Sequence, residues 1–385
     1  QGLSLARRIA GEYGESCREM YAEHPYINAT VRGVDVDLVP AYEVACATEI
    51  KSAVDRTPFH TRYITERIRD LVDDVLLTKQ FAKAGGVYGS DQMTEGFSGY
   101  LCELLVLHYG GFRPLLAAAA DWRPRTVIDI ERHGSRRFPE PLTVVDPVDP
   151  NRNVAAAVSL SRMFEFVELA RGYRVRPSAC FFEADEFYSL DRRTFAECLD
   201  RRGTALVALV FPTPPCIPEV LVPQLRKSHE AIRGLLERNG FLVNRSDSAM
   251  QTENCMLLFE LLVDALPSVR RHVGPPLWSS ENADKFMEKH GTDSFARPFI
   301  EDGLYIVEIP RRFTRAADLL ADQEVLAMGL GRHVRQAMEQ GWCVYEGRAC
   351  WQDEFGSFLS GFLARASPLA RVRKREKRAE NRLRS

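Results

Sequence analysis

Asp35-Val36-Asp37 is the first arrangement in this sequence whose residue types and spacing can do chemistry. In a strand, residues two apart share a face, so Asp35 and Asp37 lie on one side and Val34, Val36 and Leu38 on the other. Two hard oxygen donors can hold a divalent cation, and nucleotidyl transfer uses two such ions about 3.5–4 Å apart. Two carboxylates do not complete that arrangement. Asp129-x-Glu131 repeats the spacing elsewhere, and on pattern alone a solvated strand face is the ordinary reading of either pair.

The elements that must position these residues follow from periodicity. Val34 to Val39 alternates as a strand that Pro40 ends. Between Thr65 and Lys83 the residues Ile68, Leu71, Val72, Val75 and Leu76 recur at helical spacing, and Gly85-Gly86 supplies the stop. Further helices are expected from Gly99 to Tyr109 and from Asn153 to Arg171, so the middle of the chain reads as a small helical domain. After Pro177 come strand patterns at Thr204–Phe211 and Cys255–Leu262 and a helical stretch at Pro223–Arg238. Four prolines between Phe211 and Pro218 make a loop or rigid connector. This is an α+β organisation, with antiparallel sheets and helices on one face.

Composition bounds the function. The 385 residues, 45% of them hydrophobic, are enough for two or three domains. No stretch approaches the roughly 18 apolar residues of a spanning helix, and no signal-peptide pattern opens the chain. A cytoplasmic protein with no membrane partner is the expectation. Nine scattered cysteines without a C-x-x-C pair argue against a disulfide framework or a zinc knuckle. The net charge of −2 conceals a basic end: residues 365–385 carry nine Lys/Arg and two Glu, which reads as a solvated, disordered segment. The chain opens on Gln1 and runs directly into an amphipathic stretch with Leu5, Ile9 and Tyr13 four apart, so it reads as the interior of a longer protein.

Four blocks give the first acidic pair a context. Tyr21-Ala-Glu-His-Pro-Tyr26 precedes the strand, Ser52-Ala-Val-Asp-Arg-Thr-Pro-Phe-His60 follows it, and then come Gly96-Phe-Ser-Gly-Tyr-Leu-Cys-Glu103 and Asp146-Pro-Val-Asp-Pro-Asn-Arg-Asn-Val-Ala-Ala156. In this order and at these separations they resemble the archaeal-type class I CCA-adding enzymes, the tRNA nucleotidyltransferases. The similarity continues through Gly203–Phe211 and Ala296–Glu301, and so covers nearly the whole chain.

The resemblance implies addition and repair of the 3′-terminal CCA of tRNA from CTP and ATP, with Mg2+ and without a nucleic-acid template. It implies a partial polymerase β-type nucleotidyltransferase head in residues 1–64 and a helical neck in 65–145. An α+β body would follow in 146–190 and 305–364, with a tail in 191–304, and the resemblance allows for a homodimer. Asp37 matches the third catalytic carboxylate, a metal ligand, and Asp35 a flanking acid. His24, Thr57, His60, Lys79, Tyr88 and Arg152 match nucleotide-binding positions, with Arg152 facing the incoming base. Arg297 and Phe299 match a block near the tRNA elbow, where an Arg beside an aromatic suits phosphate contact and stacking. Met93-Thr94-Glu95 departs from the family's basic pattern before the Gly96 block. The Gly-Ser turn and paired acids of the family have no counterpart before residue 37. Either the sequence begins after them, which the Gln1 opening favours, or the chain is a non-catalytic tRNA-binding homologue that has lost the metal site; as given, it is expected to be inactive. The other histidines, His108, His133, His229, His272, His290 and His333, form no metal spacing and are expected to be structural.

Overall fold

The computed structural model describes residues 2–21, 25–134, 137–184, 189–290 and 295–384. Contacts divide the chain into two units, Gln1–Glu186 with Ala366–Ser385, and Phe187–Arg365.

The first unit opens with α1 (Gly2–Tyr13) packed on an antiparallel sheet of β1 (Ser16–Tyr21), β2 (Pro25–Val31) and β3 (Val34–Leu38), with β2 central. Arg32 and Gly33, at φ 52° and 74°, form the tight turn between β2 and β3, whose two central residues must both take positive φ. Asp35 and Asp37 are exposed and Val36 and Leu38 half-buried, as the alternation predicts. Leu38 packs with Ala6, Ala10, Ile27 and Ala29 in a small core. The Leu5, Ile9 and Tyr13 stripe stays exposed, because the smaller Ala6 and Ala10 let α1 lie close on β2.

The helical part follows. The apolar pattern expected as one helix over 65–83 is two, α2 (Thr57–Ile68) and α3 (Val72–Gly85). They are separated at Arg69, whose φ of 20° no helix accommodates. Next come α4 (Gly99–Tyr109), α5 (Phe112–Ala119), a parallel pair β4 (Thr126–Asp129) and β5 (Leu142–Val145), and α6 (Leu160–Val175). Ser98 caps α4 by accepting from the Leu101 N–H, and Gly86 ends α3 in the left-handed conformation. The helix expected from Asn153 begins seven residues later, because Asn153 is committed to β5. Its side chain accepts from Val144 N and donates to Leu142 O, and Ser159 becomes the cap. Phe81, Phe97, Leu104, Leu115, Met163 and Phe166 fill one core. Residues 146–184 therefore belong with this unit and not with 305–364.

In the second unit, β6 (Ala205–Pro212) follows α7 (Arg192–Arg202) and precedes α8 (Pro218–Arg238), β7 (Val243–Met250) and β8 (Asn254–Leu261). Then come β9 (Val269–Pro276), α9 (Ser280–His290), β10 (Ala296–Glu301), β11 (Leu304–Pro310), α10 (Ala316–Ala321), α11 (Arg332–Glu339), β12 (Cys343–Glu346) and α12 (Gly356–Leu363). The main sheet is antiparallel, in the order β12-β6-β8-β7, and a second antiparallel sheet runs β10-β11-β9. Helices cover both faces of the main sheet rather than one. Val207, Leu209 and Phe211 pack with residues of α8, α10 and α11; Leu206, Ala208 and Val210 pack with Phe195, Leu199, Leu359 and Phe362 of α7 and α12. The unbroken apolar run of β6 is the signature of a strand buried on both sides.

The basic end is helical. In place of the expected disordered segment stands α13 (Pro368–Arg384), which returns to the first unit and buries Val372 in its core. Arg371 donates to Gly85 O and Arg373 to Gly172 O, each at 3.0 Å. The Gly85 carbonyl lies in the last turn of α3, where the helix supplies no partner, and the Gly172 carbonyl near the end of α6 also accepts from Arg176 N at 3.1 Å. Ser178 donates to the buried Glu376 at 2.6 Å.

Candidate functional site

The site is organised by a residue that the sequence reading quoted but did not single out. Asp146 follows β5, and the turn from it to Arg152 is closed by Asp146 N donating to Arg152 O at 3.0 Å and by Val148 N donating to Asp146 Oδ1 at 3.1 Å. Pro147 and Pro150 fix φ within that turn. The Arg152 side chain comes back over it, Nη1 to Asp146 Oδ2 at 2.8 Å. The same oxygen accepts from His60 Nε2 at 2.9 Å. Tyr100, from the start of α4, donates to Oδ1 at 3.3 Å and stacks on the His60 ring, with centroids 4.0 Å apart.

The Asp146 side chain is fully buried while Arg152 is 35% exposed. Burial alone would push the carboxyl up, but hydrogen bonds from His60 and Arg152 outweigh it and hold Asp146 below the usual carboxylate range. Burial and the Asp146 charge push the Tyr100 phenol up, so it stays a donor. Arg56, just before α2, binds Asp149 at 2.9 Å and ties α2 to the same turn.

Asp55 sets the entry to α2. Its buried carboxylate accepts from the backbone N–H groups of Tyr42, Lys51 and Ser52 at 2.7–2.9 Å and from the Ser52 hydroxyl. Against the opposing effect of burial, these bonds lower its pKa to about 2. The connector from β3 is thereby fixed beside Thr57, which is exposed on the first turn of α2. Thr57 lines a groove of about 750 Å³ with Val39, Ala41, Pro58, Thr61 and Arg62.

A second group meets at the residue before Tyr100. Lys79 of α3 pairs with Glu103 of α4 at 2.7 Å, both side chains 24% exposed. A Cβ at position 99 would stand 3.2 Å from the Tyr88 hydroxyl and 3.6 Å from Lys79 Nζ, so Gly99 leaves the space in which Lys79 and Tyr88 converge. Lys83 Nζ lies 5.1 Å from the centre of the Tyr88 ring.

The structure thus brings His60 and Arg152 onto one carboxylate and places Lys79 and Tyr88 at the start of α4, with Thr57 on the first turn of α2. It does not join Asp37 to them. Asp37 is exposed on β3 and accepts from Asn28 Nδ2 at 2.9 Å. Arg297 and Phe299 are exposed on β10 of the second unit, and His24 lies outside the described residues. The second acidic pair is structural: Glu131 accepts from Tyr63 at 2.6 Å, and Asp129 accepts from His133 N and Gly134 N. The sequence reading missed Asp146, Tyr100, Glu103 and Asp55. The signals available were the repeated Asp-Pro in the 146–152 block and the Ser-x-x-Asp spacing at 52–55.

Two family descriptions match this chain: "tRNA nucleotidyltransferase, second domain" over residues 73–183 and "CCA-adding enzyme, C-terminal domain" over 202–347. The CCA-adding enzyme of Methanoregula boonei is 60% identical over 97% of this chain and 81% of that protein. Those of Methanosarcina barkeri and Haloarcula marismortui are each 42% identical, over 90% and 93% of this chain and 76% and 83% of theirs. The chain belongs to the CCA-adding enzyme family. A solved structure of E. coli MS115-1 CdnC with ATP aligns over 40% of this chain and 57% of its own at 18% identity and TM-score 0.31, too weak a likeness to bear on the fold.

The nucleotidyltransferases to which the chain belongs use a divalent metal. Asp37 offers one hard oxygen donor, but among the described residues no three His, Cys, Asp or Glu stand together as ligands. The described residues do not by themselves complete a metal site. Among the described residues no helix is long and apolar enough to cross a membrane.

Proposed function

We propose that the protein adds C, C and A to the 3′ end of tRNA from CTP and ATP in the cytoplasm, without a nucleic-acid template. The observation that carries this reading is the buried Asp146 holding His60 and Arg152 together, in a chain 60% identical to a CCA-adding enzyme. The tRNA 3′ oxygen bonds to the α-phosphorus of the incoming nucleotide, the bond from that phosphorus to the bridging oxygen breaks, and pyrophosphate leaves. The hydroxyl proton is released.

Arg152 spends only Nη1 on Asp146, so the rest of its planar fork remains to donate to two acceptors of a base at fixed angles. His60, Lys79, Tyr88, Thr57 and His24 serve the triphosphate. Lys79 exchanges Glu103 for phosphate oxygens, and a cation on a flexible stem can make that exchange. Arg297 and Phe299 serve the tRNA elbow. The ion proposed is Mg2+, which when bound would polarise phosphoryl oxygens; Asp37 is the residue here that would help hold it.

The test is incorporation of radiolabelled CTP and ATP by the full-length gene product into tRNA lacking its CCA end. Ordered addition of C, C and A is expected. Tight tRNA binding with no incorporation would move the protein to the non-catalytic reading.

A further inference from the structure

We propose that Asp146 is a positioning residue that couples recognition of the base to binding of the triphosphate, by holding Arg152 and His60 on a single oxygen. The inference rests on the function proposed above. Asp146 has no exposed side-chain surface, so it cannot touch substrate itself. Its effect must pass through its partners.

Three features support the coupling. Oδ2 is shared by Arg152 Nη1 at 2.8 Å and His60 Nε2 at 2.9 Å, so neither can turn without changing the bond the other makes. Oδ1 is held by Val148 N and Tyr100 Oη, which prevents the carboxylate from rotating to follow one partner. The ring of Tyr100 stacked on His60 fixes the imidazole plane. A further consequence concerns the imidazole. With Nε2 committed to a carboxylate, only Nδ1 of His60 is left to meet a phosphate.

The geometry also predicts what an amide would do. In Asp146→Asn one edge becomes an NH2 group, which must face either the Arg152 and His60 donors or the Val148 and Tyr100 donors. Either way one set is mismatched, and loss of a charge-assisted bond is worth roughly ten- to hundredfold.

The experiment is a mutant cycle in the full-length gene product, reading KM for CTP and ATP separately from kcat, together with tRNA affinity and thermal stability. Asp146→Asn is expected to raise KM for both nucleotides at least tenfold and leave tRNA affinity within about twofold. Arg152→Lys and His60→Ala are expected to be non-additive in the native background, and either one is expected to add less than about threefold on top of Asp146→Asn, because the shared anchor is already gone. An unchanged KM in Asp146→Asn, or full additivity of the Arg152 and His60 substitutions, would overturn the proposal. Should Asp146→Asn not fold, the Arg152/His60 pair alone decides, since two residues with independent roles give additive effects. If the unsubstituted gene product adds no nucleotide, the proposed function is at fault, and the same cycle read by equilibrium dialysis of labelled CTP still tests Asp146.

Discussion

Each unit contains a fully buried carboxylate gripped by two nitrogen-donating side chains, and the two differ in how many nitrogens those partners spend. Glu260 on β8 accepts from Arg202 Nη2 at 3.0 Å, Arg245 Nε at 2.9 Å, Thr204 Oγ1 at 2.6 Å and Asn244 Nδ2 at 3.0 Å. Arg202 spends a second nitrogen on the same carboxylate. Arg245 spends its own on Phe362 O and lies over that ring at 4.6 Å. These bonds join the end of α7, β7 and β8 and staple the main sheet. Asp146 is as deeply buried, yet Arg152 gives it one nitrogen and His60 one. A buried ion pair is weak evidence of function or of stability by itself. Arg202 and Arg245 each spend two nitrogens on protein acceptors, and the remaining Arg245 Nη2 is buried without a partner among the described residues, whereas Arg152 spends one.

The largest effect that would sharpen this contrast is at Glu260. Glu260→Gln leaves two guanidinium groups around a neutral amide, and breaking a buried pair in this way costs about 3–5 kcal/mol. Denaturant unfolding should show that loss, with affinity for CTP unchanged; a fall in CTP affinity equal to that of Asp146→Asn would erase the distinction. The same residue sets an acid limit. Burial would raise its pKa, but Arg202, Thr204 and Arg245 bring it from 4.5 to about 2. Its contribution to stability is therefore complete above pH 4.5 and is lost as pH falls toward 2. Stability measured across that window should fall less steeply in Glu260→Gln than in the native protein.

A middle-sized effect is expected at Lys79. Removing a charged phosphate donor costs about 1.5–3 kcal/mol, so Lys79→Ala should weaken CTP and ATP together by at least tenfold. Glu103→Gln removes the competing carboxylate and should leave both affinities equal or tighter. Weakening by Glu103→Gln to the extent seen in Lys79→Ala would mean that the pair is structural, like Glu260 and its arginines. The smallest effect is at Tyr100. Tyr100→Phe keeps the ring on His60 and removes only the 3.3 Å bond to Asp146, so KM should rise less than about fivefold, in line with ~1 kcal/mol for one neutral donor. Isothermal titration with CTP checks it.

Much of this was legible in the sequence where the cause is local. The strand holding Asp37, the helix from Gly99 to Tyr109 and the glycine stop after α3 each follow from side chains within a few residues. Strand β6 was placed by its apolar run, but the same run shows burial on both faces, which an assignment of helices to one side passes over. What was not legible depends on distant partners. Asn153 is drawn out of a helix by β5, and the charges of α13 are held by carbonyls of Gly85, Gly172 and Cys180. Asp146 became visible only when 86 residues of chain brought His60 to it. His60 and Arg152 were singled out from the resemblance alone, and nothing in their spacing says that they share an anchor.

The account is tested most directly at Arg152, which keeps its charge but loses its fork in Arg152→Lys. The measurement is single-nucleotide addition by the full-length gene product on tRNAs ending before the first C, the second C and the A. A base contact through the fork predicts a fall of at least tenfold at all three steps. Near-normal rates at every step would contradict it and leave Arg152 as a charge held by Asp146.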